Sequence, residues 1–325
     1  MNDDAGSSFE GPGYDIVGDV HGHVEQLEKL LTKLGYTEGK DGVYRHPTRQ
    51  VVFVGDLIDY KRDDQLATLR VVKAMHDAGT AVVVLGNHEF NAVAYATPNP
   101  VRLDYCRPHT VKNTKQHREF LEEVGFGSPL HHTIIDWFRS LPLWWELDGR
   151  LRVVHACWSE SDIEHLRSVL DDGRTLNEFV IREGSTKETP TYKAIENVLK
   201  GPEVEMADHH YMDKGGHRRD KARVKWWKAK ATTLDKLAMV PERTQLFDKK
   251  GRKVKRLPAD PVKAAVPRYT GTVPVVVGHY WNSGRPKTLN DRVACVDYSA
   301  GKGGPLAAYR WCGEEVLVDD HFVTT

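Results

Sequence analysis

The sequence predicts an α/β protein, and three observations predict it. Short apolar runs such as 81–85 and 273–277 read as strands buried on both faces. Segments with apolar residues at helical spacing separate them. Asp, His and Asn side chains gather where these strands end, and strand ends are where open α/β sheets bind their ligands.

The elements follow in order. Tyr14-Asp-Ile-Val-Gly18 forms a strand ending at Asp19, and Val24, Leu27, Leu30, Leu31 and Leu34 then mark one face of a helix closed by Gly35. Residues 43–44 and 50–54 read as a hairpin whose second strand runs into Gly55-Asp56. A helix over 64–76 buries Leu66, Leu69, Val72 and Met75, and the strand at 81–85 delivers Gly86-Asn-His-Glu89. The order is βαββαβ. Further helices are predicted over 115–124, 130–140, 160–170 and 175–183, with a hairpin over 143–155 turning at Asp148-Gly149. A loop over 201–216, a helix over 219–231 and a basic turn over 249–253 follow, and strands at 273–277, 293–297 and 307–316 complete the sheet.

At 325 residues, 40% hydrophobic and 28% charged, the chain has the composition of a folded protein and not of a disordered one. No apolar run approaches the length of a membrane span, and the acidic, small-residue start Met1–Ser8 is unlike an export signal, so the expected location is the cytoplasm. Cys106, Cys157, Cys295 and Cys312 form no CxxC pair, which excludes a zinc ribbon and a disulfide scaffold and leaves four small buried residues in a reducing compartment. Net charge is zero but uneven. Residues 200–256 hold 17 Lys/Arg against 8 Asp/Glu, which points to an anionic ligand or to a solvated face. The expected organisation is one domain over 1–325, with 160–265 a helical, basic insertion forming a lid or cap.

Six fragments carry the chemistry: Gly18-Asp-Val-His-Gly22, Gly55-Asp-Leu-Ile-Asp59, Gly86-Asn-His-Glu89, His155-Ala156, Gly278-His279 and Asp297. Asp19 and His21 alternate on one side of an extended chain and can reach one ion. The two oxygens of Asp56 can each hold a cation, Asn87 offers a neutral carbonyl oxygen, and His155 and His279 offer nitrogens. Singly, each is an ordinary turn, cap or satisfied polar residue. Together, in this order and beside glycines, they predict two metal sites sharing one carboxylate, the apparatus for splitting phosphate esters.

This series resembles the calcineurin-like metallophosphoesterase superfamily, most closely its phosphoprotein phosphatase branch with its bacterial members. The likeness is dense over 14–90 and continues as isolated points to 297. It implies a two-sheet β-sandwich flanked by helices and two divalent ions, Mn²⁺ first, with Fe or Zn as alternatives. By the same resemblance Asp19, His21 and Asp56 hold the first ion, and Asp56, Asn87, His155 and His279 the second. A hydroxide bridging the ions attacks phosphorus, and His88, oriented by Asp59, is the general acid for the leaving oxygen. Gly278-His-Tyr-Trp lacks the second histidine of the GHxH form, which favours the phosphatase branch.

Two departures bear on substrate. Where relatives read GDYVDRG and LRGNHE, this chain has Tyr60 in place of the first, phosphate-clamping arginine and Leu85 in place of the second. Lys61 and Arg62 are candidates to compensate. Arg218, Arg219 and Arg223 are candidates for a further phosphate contact, against a solvated basic helix, and Lys214-Gly215-Gly216 could present amides to an anion. Tyr280 and Trp281 either wall the site or pack beneath the sheet, with packing favoured. Trp226-Trp227 among lysines is either a helix anchor, the favoured reading, or a nucleic-acid surface.

The leading expectation is a metal-dependent phosphomonoesterase acting on a phosphoprotein or a small phosphorylated molecule. The alternative is a hydrolase of nucleotides or nucleic-acid ends (a dinucleoside polyphosphate hydrolase, or a 2′,3′-cyclic phosphodiesterase with 3′-phosphatase activity), its ligand met by the basic 200–256 segment. A third reading, an inactive anion-binding module, is opposed by the presence of all six ligands and His88.

Overall fold

Ten strands build the body of the molecule: Gly13–Val17 (β1), Arg49–Phe53 (β2), Ala81–Val83 (β3), Trp144–Leu147 (β4), Leu151–Val154 (β5), Val275–Val277 (β6), Thr288–Asn290 (β7), Val293–Cys295 (β8), Ala307–Trp311 (β9) and Phe322–Thr324 (β10). This computed structural model describes residues 13–61, 64–101, 103–213, 216–241 and 244–325. One sheet runs β10-β9-β1-β2-β3 and the other β7-β8-β6-β5-β4. Each has three adjacent parallel strands, β1-β2-β3 and β8-β6-β5; antiparallel strands flank the second trio on both sides and the first on the β1 side, where β3 is the edge.

Alternation along the strands explains why the sheets stack. Ile16, Val52, Val54 and Val84 of the first sheet share one buried cluster with Leu151, Val153, Val276, Ala294 and Val296 of the second. Their neighbours Val17, Val51, Phe53, Val83, Val154, Val275 and Val277 point the other way, into a larger core shared with the helices. Strands buried on both faces read as continuous apolar runs, and these do. The two-sheet sandwich flanked by helices is therefore the fold.

Val24–Lys33 (α1) buries Leu27, Leu30 and Leu31, and Gln65–Asp77 (α2) buries Leu69, Val72 and Met75, as their spacing requires. Asn87–Ala96 (α3) begins inside the Gly86-Asn-His-Glu89 motif and was not predicted. Val111–Gln116 (α4) and Arg118–Val124 (α5) replace the single helix expected over 115–124 and meet at His117. Pro129–Ser140 (α6), Glu160–Val169 (α7), Glu178–Glu183 (α8) and Pro190–Lys200 (α9) complete the set used below. Expected from residue 175, α8 starts at Glu178 because the Asn177 side chain accepts from Val180 N and caps it.

Several expectations are corrected. Tyr44–Arg45 pairs with Thr37–Glu38, not with β2, because the run 50–54 is apolar enough to need both edges covered and lies between β1 and β3. The expected helix over 219–231 is instead the strand Lys221–Val224 followed by turns; Ala222 and Val224 are buried and Lys221 is exposed, a period of two rather than 3.6. Consequently 160–265 is helical only to Lys200. Beyond it lie short strands, Glu203–Glu205, His210–Met212, Arg218–Arg219, Lys221–Val224, Ala238–Met239, Leu246–Phe247 and Lys253–Val254, with the short helix Leu234–Leu237 among them. Cys106, Cys157 and Cys295 are buried free thiols, whereas Cys312 is exposed at the end of β9. No helix among the described residues is long and apolar enough to cross a membrane.

Candidate metal centre

The six parallel strands of the two sheets end around one point, and each delivers a polar side chain there. β1 leads to Asp19 and His21, β2 to Asp56 and Asp59, β3 to Asn87 and His88; β5 leads to His155, β6 to His279 and β8 to Asp297. The backbone is bent to aim them. His21 (φ 49°), Asp56 (50°), Asp59 (70°), Tyr60 (69°), His279 (70°), Trp281 (49°) and Ser299 (66°) are all left-handed, seven of the eleven described non-glycine residues in that region. Such residues cost roughly 1–3 kcal/mol each and persist where surrounding structure over-determines them. Glycine admits the carboxylates: a Cβ on Gly278 would collide with Asp19 Oδ1, and one on Gly86 with Asp56 Oδ1.

Hydrogen bonds fix which nitrogens face inward. His21 Nδ1 donates to Ile58 O at 2.9 Å and His155 Nδ1 to Val54 O at 2.7 Å, so Nε2 is the nitrogen each ring turns toward the site. His21 Nε2 is buried without a hydrogen-bond partner. His155 Nε2 lies 3.3 Å from Asp56 Oδ2 and 3.3 Å from Asn87 Oδ1, a nitrogen and two oxygens converging on one point. Asp19 accepts from His279 N at 3.0 Å and 3.2 Å, and Asp56 Oδ1 from His88 N at 2.9 Å.

Electrostatics makes the same demand. Burial, then the neighbouring Asp297, hold the Asp19 carboxyl well above the usual carboxylate range, and burial lifts Asp297 to about 6. Burial lowers His21 to about 4 and, with His155 beside it, holds His279 well below its ordinary value, so both rings are neutral. Burial opposes a charge on His155, but Asp56 outweighs it and lifts the ring to about 10. Buried carboxylates facing imidazole nitrogens fit divalent cations held by mixed oxygen and nitrogen donors. Ligand atoms of His21, Asp56 and His88, and of Asp56, His155 and His279, lie within 4.8 Å of one another, and Asp56 is common to both groups.

His88 and Asp59 meet at 2.5 Å between Nδ1 and Oδ2. Burial opposes the charged ring, but Asp56 and the bond to Asp59 raise His88 to about 9. Sequence reasoning missed three supporting residues. Glu89 accepts from Asp56 N (2.8 Å), Leu57 N (2.8 Å) and Gly86 N (3.1 Å), pinning the Asp56 loop to the start of α3; a glutamate at the third position of a helix was the available signal. Asp297, singled out without a role, accepts from Trp281 N at 2.6 Å and Ser299 N at 2.9 Å. His117 reaches Asp59 Oδ1 at 3.0 Å, and no local motif marks it.

The expected substrate contacts divide. Tyr60 lies on the rim, 46% exposed, its ring 4.7 Å from that of His21 and 5.4 Å from that of His88. Trp281 stacks on His21 at 5.4 Å, and the Lys302 ammonium lies 3.2 Å from the Trp281 ring centroid and 6.0 Å from that of Tyr60. Lys61 pairs with Asp64 at 3.0 Å. Arg62, Lys214 and Gly215 lie outside the described residues. Arg218 and Arg219 are exposed and pair with Asp220 (2.7 Å) and Asp213 (2.6 Å), whereas Arg223 pairs with Glu203 at 3.0 Å and acts on His279 through its charge. Tyr280 is buried, its hydroxyl accepting from Trp226 Nε1 at 2.8 Å, which makes it a packing residue instead of an open substrate contact. Trp226 and Trp227 are interior too and offer no stacking surface.

The sequence profile of the calcineurin-like phosphoesterase family matches residues 14–228. The chain belongs to that family. It is thereby a metal-dependent phosphoric ester hydrolase by class. It is 33% identical over 185 residues to the Bis(5′-nucleosyl)-tetraphosphatase PrpE [asymmetrical] of Halalkalibacterium halodurans, covering 54% of this chain and 67% of that one. With the protein of the same name from Oceanobacillus iheyensis the figures are 34% over 144 residues, 44% and 55%. The Bis(5′-nucleosyl)-tetraphosphatase, symmetrical, of Shewanella baltica is 32% identical over 142 residues, 43% of each chain. The matches thus span roughly two-fifths to two-thirds of the length of these relatives. A Saccharomyces cerevisiae protein serine/threonine phosphatase shares the fold at a TM-score of 0.50 and 14% identity, over 98% of this chain and 80% of that one.

Proposed function

We propose that the chain hydrolyses small phosphorylated nucleotides, with a dinucleoside polyphosphate as first candidate. The observation that carries this reading is the rim: Tyr60, Trp281 and Lys302 stand beside His21 and His88, an aromatic surface with a lysine against it, where Tyr60 takes the place of the arginine that clamps phosphate in phosphoprotein phosphatases. An exposed tyrosine suits a nucleobase or ribose, and a lysine suits a phosphate of a chain as a point charge. The names of the relatives support the same substrate class.

Asp19, His21 and Asp56 would hold one ion and Asp56, Asn87, His155 and His279 the second, Mn²⁺ being our first choice for such donors. Divalent cations, when bound there, would supply an acidified water as nucleophile and would offset charge on the phosphoryl oxygens. His88 gives its Nε2 proton to the leaving oxygen while Nδ1 stays bound to Asp59. Glu89 keeps the Asp56 backbone in its left-handed turn. The insertion at 160–265 caps this site in our reading: Val198 O accepts from Ala156 N at 3.0 Å, and Trp226 Nε1 donates to Ala156 O at 3.2 Å, directly after His155.

Steady-state assays of the Mn²⁺-loaded chain on diadenosine tetraphosphate, a phosphoserine peptide, a 2′,3′-cyclic nucleotide and p-nitrophenyl phosphate test the proposal. The dinucleotide is expected to give the highest kcat/KM. A phosphopeptide in first place would return the chain to the phosphoprotein reading.

A further inference from the structure

We propose that His117 is a positioning residue for the proton donor, acting through Asp59. The inference rests on the reading of His88 as that donor. As the P–O bond breaks, its electron pair leaves on the departing oxygen and takes the proton from His88 Nε2, so the imidazole must be aimed at that oxygen. Its aim is set by the plane of the Asp59 carboxylate.

A carboxylate held through one oxygen can pivot about its last torsion, which is broad. Asp59 is held through both. Oδ2 meets His88 Nδ1 at 2.5 Å and Oδ1 meets His117 Nδ1 at 3.0 Å, with Asp59 2% exposed. His117 is itself immobilised, 4% exposed, its ring stacked on Phe120 at 4.8 Å and tilted against Tyr95 at 5.6 Å.

The surrounding backbone forms a closed ring of contacts. Asp59 N donates to Gln65 Oε1 at 2.7 Å, and Gln65 N and Leu66 N donate to the Glu123 carboxylate at 2.8 and 2.9 Å. Glu123 lies on α5, and His117 is the N-terminal flank of that same helix, where α4 breaks with φ −114° and ψ 9°. The break turns the imidazole toward Asp59. Nothing in this ring is a candidate ligand.

His117 Nε2 is buried without a hydrogen-bond partner, which is destabilising; an apolar ring would remove that cost but leave Asp59 Oδ1 without its donor. What a histidine adds here is the Nδ1–H donated to Asp59.

The test compares wild type, His117→Phe, His117→Asn and His88→Asn on phenyl phosphate, whose leaving oxygen needs a proton, and on p-nitrophenyl phosphate, whose leaving oxygen needs it far less. His117→Phe should lose about 10-fold more kcat on phenyl than on p-nitrophenyl phosphate, and His117→Asn, which returns a donor near Nδ1, should recover most of the difference. Equal losses on both substrates in a folded His117→Phe protein, or no recovery in His117→Asn, would overturn the proposal. If His117→Phe does not fold, the leaving-group ratio of His117→Gln, whose donor is displaced by one methylene, decides by the same criterion. His88→Asn separates the two readings. If its ratio stays at the wild-type value, His88 is not the proton donor and the underlying reading fails; if its ratio rises and that of His117→Phe does not, the positioning role alone fails.

Discussion

His88 offers two chemistries, and its neighbours decide between them. Nδ1 is committed to Asp59, while Nε2 lies 3.9 Å from Asp56 Oδ2, close enough for the ring to join His21 and Asp56 around an ion. Asp56 with the bond to Asp59 raises the ring to about 9 against the cost of burial, which keeps a proton on it for the role proposed above. His88→Asn should lower kcat about 10²- to 10⁴-fold while metal content, measured by atomic emission on the purified protein, stays at the wild-type level. Loss of an ion with the side chain would move His88 among the ligands. Tyr60 acts at the same scale in the opposite sense. Burial, then Asp56, push its hydroxyl up to about 12, so the rim presents a neutral phenol where phosphoprotein phosphatases present a permanent cation.

Among the elements, β1 carries the most, because it is central in its sheet and ends at the site. Its Asp15 is fully buried and binds Arg49 Nε on β2 at 2.9 Å, Arg310 Nε on β9 at 3.2 Å and Tyr36 OH at 3.1 Å. Arg49 in turn donates to Tyr14 O and Trp311 O, both at 2.8 Å. Asp15→Ala strands the nearly buried Arg49 charge and should cost about 3–5 kcal/mol in urea unfolding, with the midpoint falling at an unchanged slope. A loss below about 1 kcal/mol would mean that water replaces the carboxylate. None of this pairing is legible in the sequence, where a single aspartate interrupts an apolar strand. The strand ends were legible because an apolar run followed by Gly-Asp or Gly-His is both a local structure and a chemical signal. Two kinds of element were not. α3 is buried nearly all round, at Phe90, Ala92, Val93, Ala94 and Tyr95, so it has no amphipathic face to announce it. Lys221–Val224 is too short for its alternation to outweigh the helical look of Trp226-Trp227 among lysines. His117 was hidden for a third reason. It meets Asp59 across 58 residues, through a helix break, and only tertiary structure brings the two together.

At the scale of the whole molecule the site is a joint between two sheets. Asp19, Asp56 and Asn87 follow strands of one sheet, and His155 and His279 follow strands of the other. Among the described residues, bonds across the joint include His279 N to Asp19, His155 Nδ1 to Val54 O and His155 Nε2 to Asn87 Oδ1. Asp19, Asp56 and Asp297 are meanwhile buried close enough to perturb one another. A cation held by ligands from both sheets, as proposed above, would remove that repulsion, tie the sheets together and bind only the folded chain. Its removal is then expected to lower global stability by linkage, by about 2.7 kcal/mol relative to a free metal concentration of 100 times Kd. For a chain of this size that corresponds to a fall in Tm of roughly 5 °C on adding excess chelator, restored by Mn²⁺. Asp56→Asn, which keeps the side-chain shape but weakens both groups at once, should unfold at a temperature that chelator and Mn²⁺ leave unchanged. A wild-type Tm indifferent to both would mean that protons, shared among Asp19, Asp297 and His155, already satisfy the buried charge, and the joint would then be held without metal.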